Sequence, residues 1–245
     1  MTLHSELNTR KQSENNDDDY YQIDQRNKEV VYQNFIQEFT KNNKSIISDF
    51  FYSTNCNITQ CLVCKTTIYN FQTYYFINFP LEEVRKFRQN QFNNNEVSIY
   101  DCFDYDKKIN IMDGDNSMYC NICKTNCSSQ MCTNLITGPK VLILILNRGK
   151  GIQFNVKINF VEYLNLYNYI ENKNTGFNYK LIGVITHIGE SGMGGHFIAY
   201  CRDPIINQWY KYNDSFVTDV NDFQQEIINF AMPYLLFYQK IDNNN

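Results

Sequence analysis

A mixed α+β fold, helical near its start and strand-rich through its second half, is what this sequence predicts, on three observations. Val31, Phe35, Ile36 and Phe39 recur at helical spacing. From Tyr69 onward, the odd positions Tyr69, Phe71, Tyr75, Ile77 and Phe79 are apolar or aromatic, the period of two that a half-buried strand produces. Beyond residue 140, apolar stretches at residues 141–146, 152–160, 179–187 and 234–240 make strands outnumber helices.

Taken in order, residues 1 to about 28 are polar, rich in Asn and Asp and without periodicity, the composition of a disordered leader. They carry an acidic run, Asp17-Asp18-Asp19, and no apolar stretch of the kind a secretory signal needs. The first helix should break at Asn42-Asn43-Lys44, with Ser45 capping residues 46–51. Residues 88–95 are polar and Asn-rich and read as a loop. Apolar content recovers over residues 97–103, and Cys102 and Cys201 fall within apolar strand patterns, as core residues do. The longest aliphatic run, residues 141–146, is far short of the roughly 20 residues a membrane span requires and reads as a buried strand. Asn221 with Gln224 three residues on resembles a capping box, and that helix should stop before Pro233.

With 245 residues and 29.1 kDa the chain can hold one large domain or two small ones, and 43% hydrophobic residues suffice for a substantial core. A net charge of -4 without any basic block argues against nucleic acid and suits a protein partner with a basic face. The lack of a signal or span points to an intracellular, cytoplasmic and/or nuclear protein. In that reducing setting nine cysteines point to metal binding or catalysis rather than disulfides.

Cys61-x-x-Cys64 and Cys120-x-x-Cys123 are two knuckles, each able to place two thiolates on one ion. The 55 residues between them exceed the about 15–20 of a compact zinc ribbon, so a long β excursion must return the chain to the first knuckle. Four thiolates without histidine favour a closed structural Zn²⁺ site; the alternative is a set of free buried cysteines. Cys56, Cys127 and Cys132 lie near the knuckles as substitute ligands or idle thiols.

The segment Gly194-Gly195-His196-Phe197-Ile198-Ala199-Tyr200 is answered by Trp209-Tyr210-Lys211-Tyr212-Asn213-Asp214-Ser215. Between them Asp203-Pro204-Ile205-Ile206-Asn207 reads as a turn. A hairpin folded there puts His196 opposite Asn213, where facing Cβ atoms lie about 4.5–5.5 Å apart. An imidazole beside a side-chain amide is two-thirds of a Cys-His-Asn hydrolase site.

With these residues in hand, the chain resembles the ubiquitin-specific proteases, papain-like cysteine peptidases that remove ubiquitin. The resemblance runs from about residue 31 to residue 241. It includes Asn43-Lys44-Ser45-Ile46-Ile47-Ser48-Asp49-Phe50-Phe51, both CxxC knuckles, Gly138-Pro139-Lys140-Val141-Leu142-Ile143-Leu144 and Tyr179-Lys180-Leu181-Ile182-Gly183-Val184. It continues through His187-Ile188-Gly189, the histidine box, Trp209, Asn213-Asp214-Ser215 and Pro233-Tyr234-Leu235-Leu236-Phe237-Tyr238.

The resemblance implies a right-hand fold: a helical thumb with the cysteine nucleophile, zinc-bearing β-fingers that grip ubiquitin, and a β-sheet palm with the histidine box. Residues 29–241 are then a partial catalytic domain, with fingers over about 56–135 and palm over about 136–241. No cysteine precedes Cys56, so the thumb with its cysteine box is expected to be absent from this chain. His196 matches the general base and Asn213 the group that orients it. Asp214 matches an auxiliary polar group near the oxyanion, with a mere turn residue as the rival reading. Gly192, Gly194 and Gly195 suit a narrow channel for a Gly-Gly tail. His187 flanks the loop structurally, and Trp209 and Tyr200 serve as palm core and channel wall.

Three functions are therefore weighed. The first is a deubiquitinating cysteine protease present as its finger and palm portion, the thumb supplied by an upstream segment or another chain. The second is a catalytically inactive ubiquitin-binding relative. The third, an unrelated zinc-ribbon scaffold, sits poorly with the histidine box.

Overall fold

The structure, a computed structural model, describes residues 24–91, 97–149, 156–189, 194–229 and 232–241. Most of the expected leader, residues 92–95 of the expected loop, residues 152–155 and Gly192 lie outside the described residues. Helices α1 (Lys28–Asn42) and α2 (Ile46–Phe51) come first, then β1 (Ser53–Cys61), β2 (Thr67–Tyr74) and β3 (Ile77–Pro80). Next are α3 (Leu81–Gln91), β4 (Val97–Ser98), α4 (Ile99–Asp106), β5 (Asn110–Met112), β6 (Met118–Cys120), β7 (Thr125–Cys127) and β8 (Ser129–Leu135). The remainder is β9 (Val141–Asn147), β10 (Ile158–Asn159), β11 (Tyr163–Asn165), β12 (Asn178–Ile188), β13 (His196–Arg202), β14 (Trp209–Asn213), β15 (Phe216–Asp219) and β16 (Pro233–Lys240). The strand-rich α+β expectation holds. The described residues divide into two compact units, one drawn from 24–74, 107–139 and 169–172, the other from 75–106, 140–168 and 173–241.

The first unit is a four-stranded antiparallel sheet in the order β2-β1-β8-β5, joined by the β6–β7 hairpin. Alternation along β1 and β2 turns Cys56 and Phe71 to one face, where they pack with Ile136. The α1 stripe foreseen from its spacing covers that face through Val31, Tyr32 and Phe35, with the Tyr32 and Phe71 rings 5.0 Å apart. Asn27 caps α1 by accepting the Val30 N–H. Ser45 caps α2 as foreseen, in a reciprocal box with Ser48. The buried Cys56 thiol is pushed up to about 11, chiefly by desolvation.

In the second unit the main sheet runs β15-β14-β13-β12-β16-β9-β3, with β11 also on β12; only the β9–β3 pairing on this path is parallel. The aliphatic run in β9 is the buried strand expected, with Leu142, Leu144 and Leu146 inside. Tyr238 of β16 is fully buried and donates to the Val161 carbonyl at 2.7 Å. Arg148, also fully buried, donates from Nε to the Pro233 carbonyl at 2.8 Å and from Nη1 to that of Val156, tying both chain segments to the end of β9.

Several elements differ from the sequence reading. The single strand expected from residue 69 is two strands in different sheets, because the chain leaves one unit at Tyr74 and enters the other at Tyr75. The odd-position period simply continues across the break. The expected loop at residues 88–95 is helical as far as Gln91, since α3 is anchored by buried Leu81 and Val84 and by an Arg85 fork on Glu82. Cys102 is core as expected but lies on helix α4, where Ile99, Cys102 and Phe103 share a buried face at helical spacing. Cys201 is exposed rather than core, because β13 turns Ile198 and Tyr200 inward and so turns Cys201 out. The cap read at Asn221 falls one residue later: Asp222 accepts the Gln225 N–H at 2.9 Å, ahead of a wide π-type turn over Gln224–Asn229.

Candidate functional site

The two cysteine knuckles lie in the first unit, each at the tip of a hairpin. Cys61 ends β1 and Cys120 ends β6, and in both knuckles the residue after the second cysteine closes the turn. The Lys65 N–H reaches the Cys61 carbonyl at 3.0 Å, and the Lys124 N–H reaches that of Cys120 at 2.7 Å. Both lysines take the left-handed conformation, at φ 63° and 59°. The β excursion expected from the 55-residue spacing holds in part: between the knuckles the chain runs through β2, β3, β4 and β5 but also through helices α3 and α4, and after the second knuckle β8 pairs with β1, with Ser129 facing Cys61.

The sulfurs of Cys61, Cys64, Cys120 and Cys123 all lie within 4.8 Å of one another, with Cys64 and Cys120 at 3.6 Å. Tetrahedral Zn–S bonds of about 2.3 Å put sulfurs about 3.8 Å apart, so the donor set fits such an ion and can hold a metal. The thiols pull in opposite directions. Hydrogen bonding with the Thr66 side chain, 3.3 Å away, and with its backbone brings Cys64 down to about 6, and the backbone N–H groups of Cys64 and Val63 lower Cys61. Burial and the surrounding thiols hold Cys123 far above the usual range. Four crowded sulfurs cannot all ionise together without a cation between them. Thr66 and the left-handed lysines escaped the sequence reading; a hydroxyl two residues past a CxxC pair was the available signal.

His196 and Asn213 lie in the second unit. His196 opens β13 and Asn213 closes β14, and the imidazole Nε2 stands 2.5 Å from the Asn213 Oδ1. The expected contact is made, but not by direct opposition. Ala199 faces Tyr212 and Arg202 faces Trp209, so Asn213 falls opposite Ile198 and His196 reaches it diagonally. The cause is the turn. Its closing pair is Asp203 and Gln208 at 2.8 Å, Asn207 is left-handed at φ 63°, and the Asp203 carboxylate accepts the N–H groups of Ile205 and Ile206. That shifts the ladder by two residues in total.

Asp214 sits in the two-residue turn to β15 with φ 52°, a conformation Asp tolerates better than most residues. Its carboxylate is 3.8 Å from His196 Nε2 and the side chain is 79% exposed. His187 is buried against Phe197, ring centroids 4.8 Å apart. The chain approaches that ring so closely at Gly195 that an added Cβ would stand 2.3 Å from Cε1. Trp209 is buried and stacks on Phe223, and Tyr200 is buried in the same sheet.

Among the described residues no helix is long and apolar enough to cross a membrane. A family model, Ubiquitin carboxyl-terminal hydrolase, matches residues 1–238. Ubiquitin carboxyl-terminal hydrolase Usp2 of Drosophila melanogaster is 25% identical over 248 residues, covering 98% of this chain and 24% of the relative. Ubiquitin carboxyl-terminal hydrolase 2 of Gallus gallus is 27% identical over 214 residues, covering 83% of this chain and 55% of the relative. The chain thus spans between a quarter and just over half of these relatives. The fold also matches a chain of the SAGA DUB module bound to monoubiquitin, with a TM-score of 0.64 and 23% identity over 87% of this chain and 46% of that one.

Proposed function

Because the chain belongs to the ubiquitin carboxyl-terminal hydrolase family, we propose that it supplies the finger and palm portions of a cysteine-type deubiquitinase. The observation that carries this is the contact of His196 Nε2 with Asn213 Oδ1. An amide oxygen only accepts, so Nε2 must carry the proton and donate it. That leaves the Nδ1 lone pair free to take a proton from a thiol, and His196 is assigned as general base on this ground. Asn213 holds the ring without adding charge, as an orienting partner should. The thiolate so formed attacks the carbonyl of ubiquitin's C-terminal glycine, and the imidazolium returns its proton to the departing lysine amine. Water then attacks the acyl-enzyme, with His196 again as base. Asp214 is assigned an auxiliary polar role beside this pair.

None of the nine cysteines has the marks of the nucleophile. Four form the sulfur cluster, Cys56 and Cys102 are fully buried with raised thiols, and Cys127 is buried. Cys132 lies mid-strand opposite Ile58. Cys201 is five residues along β13 from His196, on the opposite face and about 17 Å away. The reading therefore takes the thiol from outside this sequence. A structural Zn²⁺ at the four sulfurs, pinning two hairpins of a ubiquitin-holding finger, belongs to the same reading. Nine free cysteines agree with a reducing, intracellular setting.

The test is a ubiquitin C-terminal electrophile offered to the 245-residue chain and to any longer native form in its source cells. Labelling of a species heavier than 29.1 kDa, at a cysteine outside this sequence and dependent on His196, is the expected result. Labelling of this chain by itself would overturn the assignment of the nucleophile. Ubiquitin binding without labelling of any native form would favour the inactive ubiquitin-binding relative.

A further inference from the structure

Two glycines close on the buried ring of His187, one at each described end of the connection from β12 to β13. A Cβ added at Gly195 would stand 2.3 Å from the His187 Cε1, 2.4 Å from its Nε2 and 2.5 Å from the Ile188 carbonyl oxygen. One added at Gly189 would stand 2.8 Å from the same Cε1. Gly195 and Gly189 both take a positive φ, 155° and 157°, which side chains rarely allow. The Phe197 ring closes a further side edge-on at 4.8 Å, and it meets Tyr234 in turn at 5.6 Å. The ladder between β12 and β13 ends at the pair Ile188–His196, so Gly195 lies past its last rung. The backbone entering His196 is therefore set by the His187 ring and the Ile188 carbonyl beside it, both carried by a strand that β13 and β16 hold on its two edges.

We propose that His187 is a positioning residue for His196, the plate on which Gly195 rests so that the next residue presents its imidazole to Asn213; the inference rests on reading His196 as the general base. Glycine samples more backbone than any other residue, and a turn about Gly195 swings the His196 side chain with it. The contact of Nε2 with the Asn213 Oδ1 is 2.5 Å and is lost beyond about 3.2 Å, so a shift of under about 1 Å releases the ring. The His187 ring removes that freedom, and a flat side chain suits the place because it fills the slot under two bare backbones. A released imidazole shares its proton between both nitrogens. The fraction protonated at Nδ1 then has no lone pair there to take a proton from a thiol.

Long-range proton–nitrogen NMR of His196, recorded on the whole 245-residue chain above the pH at which the ring titrates, reads the tautomer directly. The wild-type ring should give the two well-separated nitrogen shifts of an imidazole protonated at Nε2. In His187→Ala those shifts should move toward each other, and Gly195→Ala, which presses on the same ring, should do likewise. Gly194→Ala, where an added Cβ meets nothing within 4 Å, should keep the wild-type shifts. So should Tyr238→Phe, which gives up a buried hydrogen bond toward the far end of β16 and lowers stability. A folded His187→Ala with wild-type shifts overturns the positioning role and leaves a packing residue, as does an unshifted Gly195→Ala. If His187→Ala does not fold, His187→Asn, planar and shorter, is read in its place, and failure of both to fold overturns the role as well. A wild-type ring already mixed between tautomers overturns the orienting contact with Asn213 and with it the proposed function, a distinguishable result.

Discussion

The bond from His196 to Asn213 fixes which imidazole nitrogen faces the chemistry, so its loss should be felt in turnover rather than in binding. In any form that carries the nucleophile, Asn213→Ala is expected to lower kcat by about 10²-fold or more with ubiquitin affinity unchanged. Asp214→Ala should cost clearly less, because its carboxylate is 3.8 Å from the ring and mostly in water. Steady-state kinetics beside a ubiquitin-binding isotherm separates the two, and equal losses would remove Asn213 from its orienting role. Glycine 195 makes a second test. An added Cβ there meets the His187 ring at 2.3 Å, whereas one at Gly194 meets nothing within 4 Å. Gly195→Ala should therefore destabilise the protein by about 1–3 kcal/mol and Gly194→Ala hardly at all, read from denaturant midpoints. Most of this was legible in the residues themselves, since the amide, imidazole and glycines stand in the sequence. The diagonal reach was not, because it depends on where the Asp203–Gln208 pair closes the turn.

At the level of elements, the β6–β7 hairpin has only three residues in each strand and, among the described residues, no third strand beside it. An isolated two-stranded hairpin is marginal in water, so a metal is what should order it. Removing zinc with a chelator is expected to expose the amides of residues 118–127 and 61–66 to hydrogen exchange while β12 and β13 stay protected. Unchanged exchange at both knuckles would contradict this. Because ligation requires thiolates, zinc affinity should fall as pH drops, with proton uptake on release. In α3 the Arg85 fork lowers the Glu82 carboxyl below its ordinary 4.5. The sign follows: a depressed acid stabilises the fold above its unfolded value and loses that contribution as pH falls through the lower folded one. Glu82→Gln should flatten the acid limb of the stability curve over that window. Helix α3 was missed because Asn and Gln resemble a loop by composition, while Leu81 and Val84 anchor it through packing. Helix α4 was missed because an apolar run of its length suits either period.

On the molecular scale, the second unit carries large apolar side chains in solvent: Ile205 at 90% exposure, Phe216 at 72% and Ile206 at 63%, with Val217 and Phe197 also exposed. All four residues of β15 are exposed, and β15 ends its sheet. An unpaired apolar edge of this kind invites association, and a charge of -4 over 245 residues opposes it weakly. The isolated chain should self-associate at micromolar concentration, and Phe216→Ser with Val217→Thr should reduce that association. Sedimentation showing a monodisperse wild-type monomer would count against the prediction.

The sequence by itself determined the α+β class, the helix from Val31 to Phe39, the Ser45 cap, the buried strand through Leu142 and the pairing of two CxxC knuckles. Each of these rests on spacing or residue chemistry that acts within a few positions, or on a motif too specific to arise by chance. Tertiary structure alone decided the rest: the break at Tyr74, the outward turn of Cys201, and the two-residue shift that makes the His196 contact diagonal. These depend on which distant strands pair and where a turn closes. Such choices are set by the packing of whole elements, and local periodicity carries no trace of them.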